Sequence, residues 1–493
     1  MASVTYGKLA QLRSPAAFRE RLTELQLTLP VDEQVLSAEQ GSPLAAEASV
    51  GEGSVGQLRI GNRWCIHPME GWDAERDGSP SSWTIRRWQR FGASGAKLIW
   101  GGEAAAVRAD GRANPHQTLA LESNEAGLRT LHAALVEAHQ EAMGDTEGLV
   151  IGLQLTHSGR FCRPNDKQRL EPRIAYHHPI LDARCGIDPD DDTAVWTDAQ
   201  LDDLVDDYVR AARLAERCGF HFVDVKACHG YLLHEMLSAR SRPGRYGGDF
   251  DGRTRLLLSI IDAVRAACPR LAIGVRLSLF DTLPYEPGAE VGQPAAAPGG
   301  QRYEAGFGCR ADDPLQQDLE EPLRLVRRLA RRGVRLLNLS CGSPYYNPHI
   351  QRPAIFPPSD GYQPPEDPLC GVVRQIDAVA QCKRAVPEMF VVGSGYTYLQ
   401  QFLPHVAQAV VEQGMVDAVG LGRMVLSYPQ LPRDVLAGRP LERKLICRTF
   451  SDCTTAPRNG WISGCYPLDP AYKTLPERQQ LVQLKKQASG SGS

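Results

Sequence analysis

Along most of the chain, a stretch with helical spacing ends at a glycine and a short apolar run follows at once. The unit recurs as FGASGAKLIWGG, AERCGFHFVDVK, ARRGVRLLNLS and VEQGMVDAVGLG. Gly95, Gly219, Gly333 and Gly414 stand where a helix closes on a left-handed residue. The apolar runs do not alternate with polar residues, which is the pattern of parallel strands covered on both faces. Eight such strands are predicted, near 62–67, 96–100, 149–155, 221–226, 271–277, 334–339, 388–393 and 416–421. The helices carry their own signals. Thr197 and Gln200 form a T-x-x-Q capping box, and Leu201, Leu204, Val205, Tyr208 and Ala212 follow at helical spacing. Strands alternating with helices predict an α/β fold, a (β/α)8 TIM barrel, with a doubly wound sheet as the alternative.

The same pattern divides the chain. Residues 1–56 read as an N-terminal extension whose end, SAEQGSPLAAEASVGEGSVG, has the small, acidic composition of a flexible arm. Residues 57–440 hold the barrel, and 441–493 form a C-terminal cysteine-containing segment and tail. The Gly/Pro/Ala-rich stretch 281–315 predicts a long loop on the active-site side. A net charge of −3 gives no reason to expect nucleic acid or an anionic membrane as partner. No run reaches the roughly 18 apolar residues of a membrane span, and the N-terminus lacks a secretory core. The 13 scattered cysteines read as reduced thiols, so a cytoplasmic protein is expected.

In a barrel the chemistry belongs at the C-terminal ends of the strands. Polar residues gather there: His67-Pro68-Met69-Glu70, Gly102-Glu103-Ala104, Gln154, Lys226 with His229 and Tyr231, Arg276, Gly395, and Gly422-Arg423. Glycines after the last two strands, with an arginine beside them, suit a phosphate group, because backbone N–H groups can approach an anion closely.

Four segments stand out in order along the chain: IGNRWCIHPM, IGLQLTHSGR, HGYLLHEMLSARSRPGRYGGDFDGR and VDAVGLGR. Together they resemble, in the same order, the Old Yellow Enzyme family of FMN-dependent NADH:flavin oxidoreductases. The resemblance implies FMN lying across the barrel mouth. Pro68 and Met69 would line its redox edge, with Glu70 beside them and Ala104 on its flank. Gln154 and Arg276 would bind the pyrimidine end, and Gly395, Gly422 and Arg423 the phosphate. It also implies two donors that polarise a substrate carbonyl, here Lys226 and His229, and a tyrosine, Tyr231, that gives the proton. NADH or NADPH, or a separate reductase, would supply electrons to a small-molecule substrate; a homo-oligomer is expected.

Departures from the family pattern shape the substrate expectation. Lys226 replaces a histidine; it can bind a carboxylate, polarise a carbonyl, or pair with Glu70 or Glu103. With Glu70 also unusual, an anionic, conjugated or ring substrate is expected, and an oxidative demethylation or dehydrogenation is an alternative. Gly244 stands where the family has Asp, and Asp251-Gly252 where it has Glu-Asn. Cys447, Cys453 and Cys465 fall short of the four thiolates of a 4Fe–4S cluster, so neither a cluster nor another metal is expected. That segment is expected to pack as a loop near the substrate. A different reaction class, a Schiff-base lyase or aldolase using Lys226, is the competing reading.

Overall fold

The structure is a computed structural model describing residues 5–51, 56–296 and 302–490. The apolar runs form eight parallel strands: β1 (Trp64–Ile66), β2 (Leu98–Ile99), β3 (Val150–Thr156), β4 (Phe222–Ala227), β5 (Ala272–Ser278), β6 (Leu336–Ser340), β7 (Phe390–Gly393) and β8 (Ala418–Leu421). Each pairs in parallel with the next, and β8 closes on β1 with Val419 opposite Trp64 and Leu421 opposite Ile66. This is the predicted (β/α)8 barrel, and every strand residue is buried. The predicted capping box is present: Thr197 accepts from the Gln200 backbone, and the Gln200 side chain reaches back. After β2 the chain turns sharply through Gly101 and Gly102, at φ of 154° and 51°, and a short strand, Ala104–Ala106, continues beside β3.

The barrel interior is filled unevenly. At its N-terminal end Cys65, Leu98, Trp100, Val150, Phe222, Leu336, Phe390 and Ala418 form an apolar plug, with Trp100 edge-on to Phe222 at 5.1 Å. A hairpin of Ala48–Val50 against Leu58–Ile60 caps this plug through Val50 and Ile60. Polar side chains therefore collect at the opposite, C-terminal end.

The flexible arm expected at the end of the N-terminal extension is corrected for its described residues: Leu44 is buried and Ala48–Val50 pairs with Leu58–Ile60. The rest of the extension is also packed. The helix Pro15–Glu24, capped by Ser14, buries Phe18 and Leu22, and Phe18 stacks on Phe402 at 4.6 Å. Apolar residues are sparse there, but their i, i+4 spacing puts them on one face. Residues 52–55 of the predicted arm lie outside the described residues. In the long loop, Tyr285–Pro287 pairs with Gly292–Pro294, while 297–301 lie outside the described residues. No helix among the described residues is long and apolar enough to cross a membrane.

Candidate active site

Side chains alternate across a strand, and that period of two builds the floor of the cleft. On β4, Val223 and Val225 join the main core, which leaves Asp224 and Lys226 on the barrel side. Register places Asp224 opposite Gln154 on β3, and Lys226 opposite Arg276 on β5. Gln154 Nε2 donates to Asp224 Oδ2 at 2.5 Å, and the Arg276 backbone N–H donates to Asp224 Oδ1 at 2.6 Å. Asp224 is fully buried, and burial raises its pKa. It fixes Gln154 and Arg276 from beneath.

One cleft above this floor is lined by Pro68, Met69, Glu70, Gln154, Lys226, His229, Tyr231, Arg276, Gly395, Gly422 and Arg423. These residues, all expected from the sequence, come from the ends of six strands. Ala104 is not among them. It pairs in register with Gln154 but is buried behind the surface, its carbonyl accepting from Gln117 at 2.8 Å.

The Lys226 ammonium lies 3.1 Å from Glu70 Oε1 and 3.9 Å from the centre of the Tyr231 ring. Of the two carboxylates considered for it, Glu70 is the partner; Glu103 is ion-paired with Arg87. The Tyr231 hydroxyl sits 3.3 Å from Glu70 and 3.0 Å from the Tyr345 hydroxyl. Burial, Glu70 and Tyr345 hold its pKa well above 10. His229 has a φ of 65°, outside the usual range for a non-glycine residue. Its Nε2 meets Ser340 Oγ at 3.0 Å and Gln351 at 3.3 Å. Burial, with Arg276 and Lys226 adding to it, depresses its pKa and keeps the imidazole neutral.

At the other end, Gly395 has a φ of 97°, and a Cβ on Gly422 would meet only Met69 Sδ, at 3.5 Å. Arg423 donates to the Pro353 carbonyl at 3.0 Å, and its buried Nη1 has no hydrogen-bond partner among the described residues. His67 braces this end, with Nε2 3.0 Å from Ser394 and Nδ1 3.1 Å from Asn338.

The C-terminal segment does pack over the mouth: Cys453, Thr454, Pro457, Arg458 and Ser463 line the cleft. Part of it is the helix Asp452–Arg458 rather than loop. Cys447, Cys453 and Cys465 are free thiols. Among the described residues no group of three or more His, Cys, Asp and Glu is arranged to hold a metal ion. The departure at Gly244 is compensated from elsewhere. A Cβ on Gly244 would lie 2.5 Å from Asp198 Oδ2, so a neighbouring helix supplies a carboxylate there, and Asp198 pairs with Arg242 at 2.9 Å.

The sequence reading missed Asp224, Ser340, Tyr345, Gln351 and Arg352. Applied to the sixth strand as well, the strand-end rule points to Ser340 and, in the loop after it, Tyr345. Asp224 is hidden inside an apolar run, and Gln351 and Arg352 close the short helix Pro348–Gln351, which carries no motif.

The pattern of the NADH:flavin oxidoreductase / NADH oxidase family matches residues 54–297. An NADH:flavin oxidoreductase of Gibberella zeae is 26% identical over 386 residues, 76% of this chain and 81% of its own length. Morphinone reductase in complex with tetrahydroNAD superposes with a TM-score of 0.53 at 21% identity, covering 81% of this chain and 92% of that one. A 2-naphthoyl-CoA reductase in complex with 2-naphthoyl-CoA gives 0.63 at 18% identity over 87% of this chain; the chain spans 57% of its length. At these identities the two structures speak for the barrel alone.

Proposed function

Because this chain belongs to the NADH:flavin oxidoreductase / NADH oxidase family and is an NAD(P)H:flavin oxidoreductase, we propose that it holds FMN in the cleft and passes reducing equivalents from NADH or NADPH to a conjugated or ring-bearing organic substrate. The observation that carries this reading is convergence. Residues from β1, β3, β4, β5, β7 and β8, expected from motifs with no shared local cause, line one cleft.

The residues suit the cofactor. Arg276 Nε and Arg423 Nη1 are buried donors without partners, as expected of groups that meet an anion or a polar ring edge. With its amide N–H on Asp224, Gln154 keeps its carbonyl oxygen for the pyrimidine N–H, while Arg276 stabilises negative charge at that end. Gly395, Gly422 and Arg423 hold the phosphate. Bound FMN supplies N5 as the hydride acceptor and donor.

The chain's own side chains do the rest. Lys226 and the neutral His229 polarise the substrate carbonyl, and stabilising charge that develops on an oxygen is commonly the largest catalytic term. Tyr231, kept protonated by burial and by Glu70, delivers the proton to carbon. The C-terminal segment limits solvent access above the site. The Schiff-base reading is not favoured, since the Lys226 ammonium is ion-paired with Glu70 and that chemistry has no use for the Gln154–Asp224–Arg276 floor.

The test is reconstitution with FMN, followed by anaerobic titration with NADH and NADPH. Bleaching of the flavin band at about 450 nm and its return on adding an activated alkene are expected. A protein that takes up no FMN under any condition overturns the assignment.

A further inference from the structure

Resting on the flavin reading above, we propose that the substrate carries a carboxylate on a planar ring, and that Arg352 and Arg458 grip that carboxylate. The argument starts from the charges that line the cleft: Glu70, Lys226, Arg276, Arg352, Arg423 and Arg458. Glu70 and Lys226 neutralise each other at 3.1 Å. The ammonium expected from the sequence to receive an anionic substrate is therefore already engaged. Arg276 belongs to the pyrimidine end and Arg423 to the phosphate. Two guanidiniums remain, one on the loop after β6 and one on the C-terminal helix Asp452–Arg458.

Arg352 is the stronger observation. It donates to Thr454 Oγ1, its buried Nη2 has no partner, and among the described residues no carboxylate lies within ion-pair distance. A partly buried guanidinium with no carboxylate in contact is costly, and a ligand anion offsets that cost. Arg352, Arg423 and Arg458 line the same cleft, and burial with the like charges of the other two pulls the Arg352 pKa down to about 10. Arg458 pairs through Nε with the half-exposed Asp360 at 2.8 Å. Its guanidinium lies 4.6 Å from the centre of the Tyr345 ring, and the Tyr345 hydroxyl is 3.0 Å from that of Tyr231. A carboxylate held here therefore sits beside the proton donor. Tyr345 is itself held in place by Phe161, stacked on it at 3.9 Å with 8° between the planes, so its hydroxyl stays fixed beside Tyr231.

The FMN-loaded protein is titrated with benzoate and, separately, with benzamide, each followed by the change in flavin absorbance. Benzoate is expected to bind at least about tenfold tighter. Arg352→Met and Arg458→Met should each erase about a tenfold share of that preference while leaving benzamide binding within about threefold, and Arg352→Lys should retain part of it. The FMN-to-riboflavin affinity ratio of Arg352→Met should match the parent. If benzoate binds no tighter than benzamide, whether both bind or neither does, the proposal is overturned. It is equally overturned if Arg352→Met weakens FMN but not riboflavin, since the guanidinium then serves the cofactor's phosphate. Absence of any flavin spectrum instead overturns the parent reading as well.

Discussion

At Tyr231 a hydroxyl lies between a carboxylate and a second phenol, at 3.3 Å from Glu70 and 3.0 Å from Tyr345. Removing it should slow substrate-driven reoxidation of the reduced flavin by about a hundredfold or more, with FMN affinity unchanged; stopped-flow traces of Tyr231→Phe and the parent decide this. Because its pKa is held well above 10, no loss of the proton-donating form should appear in the pH profile up to about 9. The Lys226–Glu70 pair makes a second residue-scale prediction. A double-mutant cycle with Lys226→Met and Glu70→Gln should give a coupling of about 1–3 kcal/mol, since either single change leaves a largely buried partner behind. Denaturant melts of the four proteins measure it, and additive effects would contradict the pairing.

Elements show how little sequence is needed where the rule is local. The Thr197 cap and the helix behind it are readable without the fold, and Thr197→Ala should cost about 1 kcal/mol in a urea melt. Gly420 is different. It lies in β8, where a Cβ would overlap the His67 ring that braces Ser394 and Asn338. Gly420→Ala should therefore destabilise the fold and weaken FMN binding together, measured by thermal melt and by flavin fluorescence, whereas a tolerated substitution would show that His67 can move freely. The eight strands were legible to within two residues because each is a buried apolar run bounded by a turn. The packing of the N-terminal helix was not, because two apolar residues on an otherwise polar helix say nothing until Phe402 is found beneath Phe18.

For the whole molecule, buried neutral histidines set the acid response. Burial lowers the pKa of His132 to about 4 and of His157 and His349 to about 3, and depresses His67, His178, His229 and His234 as well. In the unfolded chain each takes a proton near 6.5, while the folded form does not until far lower pH. Their contribution is thus complete above pH 6.5 and falls on acidification, by up to about 1.4 kcal/mol per pH unit for each. Glu103, Asp224, Glu235, Asp281 and Asp377, raised by burial, act in the opposite sense but are fewer. The melting temperature should drop between pH 6.5 and 5; an unchanged or rising value would contradict the burial of these imidazoles. The sequence by itself determined the barrel, the order of its strands and the identity of most residues at its mouth, because hydrophobic period, caps and strand-end motifs are local and survive in one dimension. Only the tertiary structure decided which carboxylate meets Lys226, that Asp224 anchors the floor, and that Arg352 and Arg458 line one cleft with Tyr345. Those pairings join residues far apart in the chain, and it is barrel closure that brings them within reach of one another.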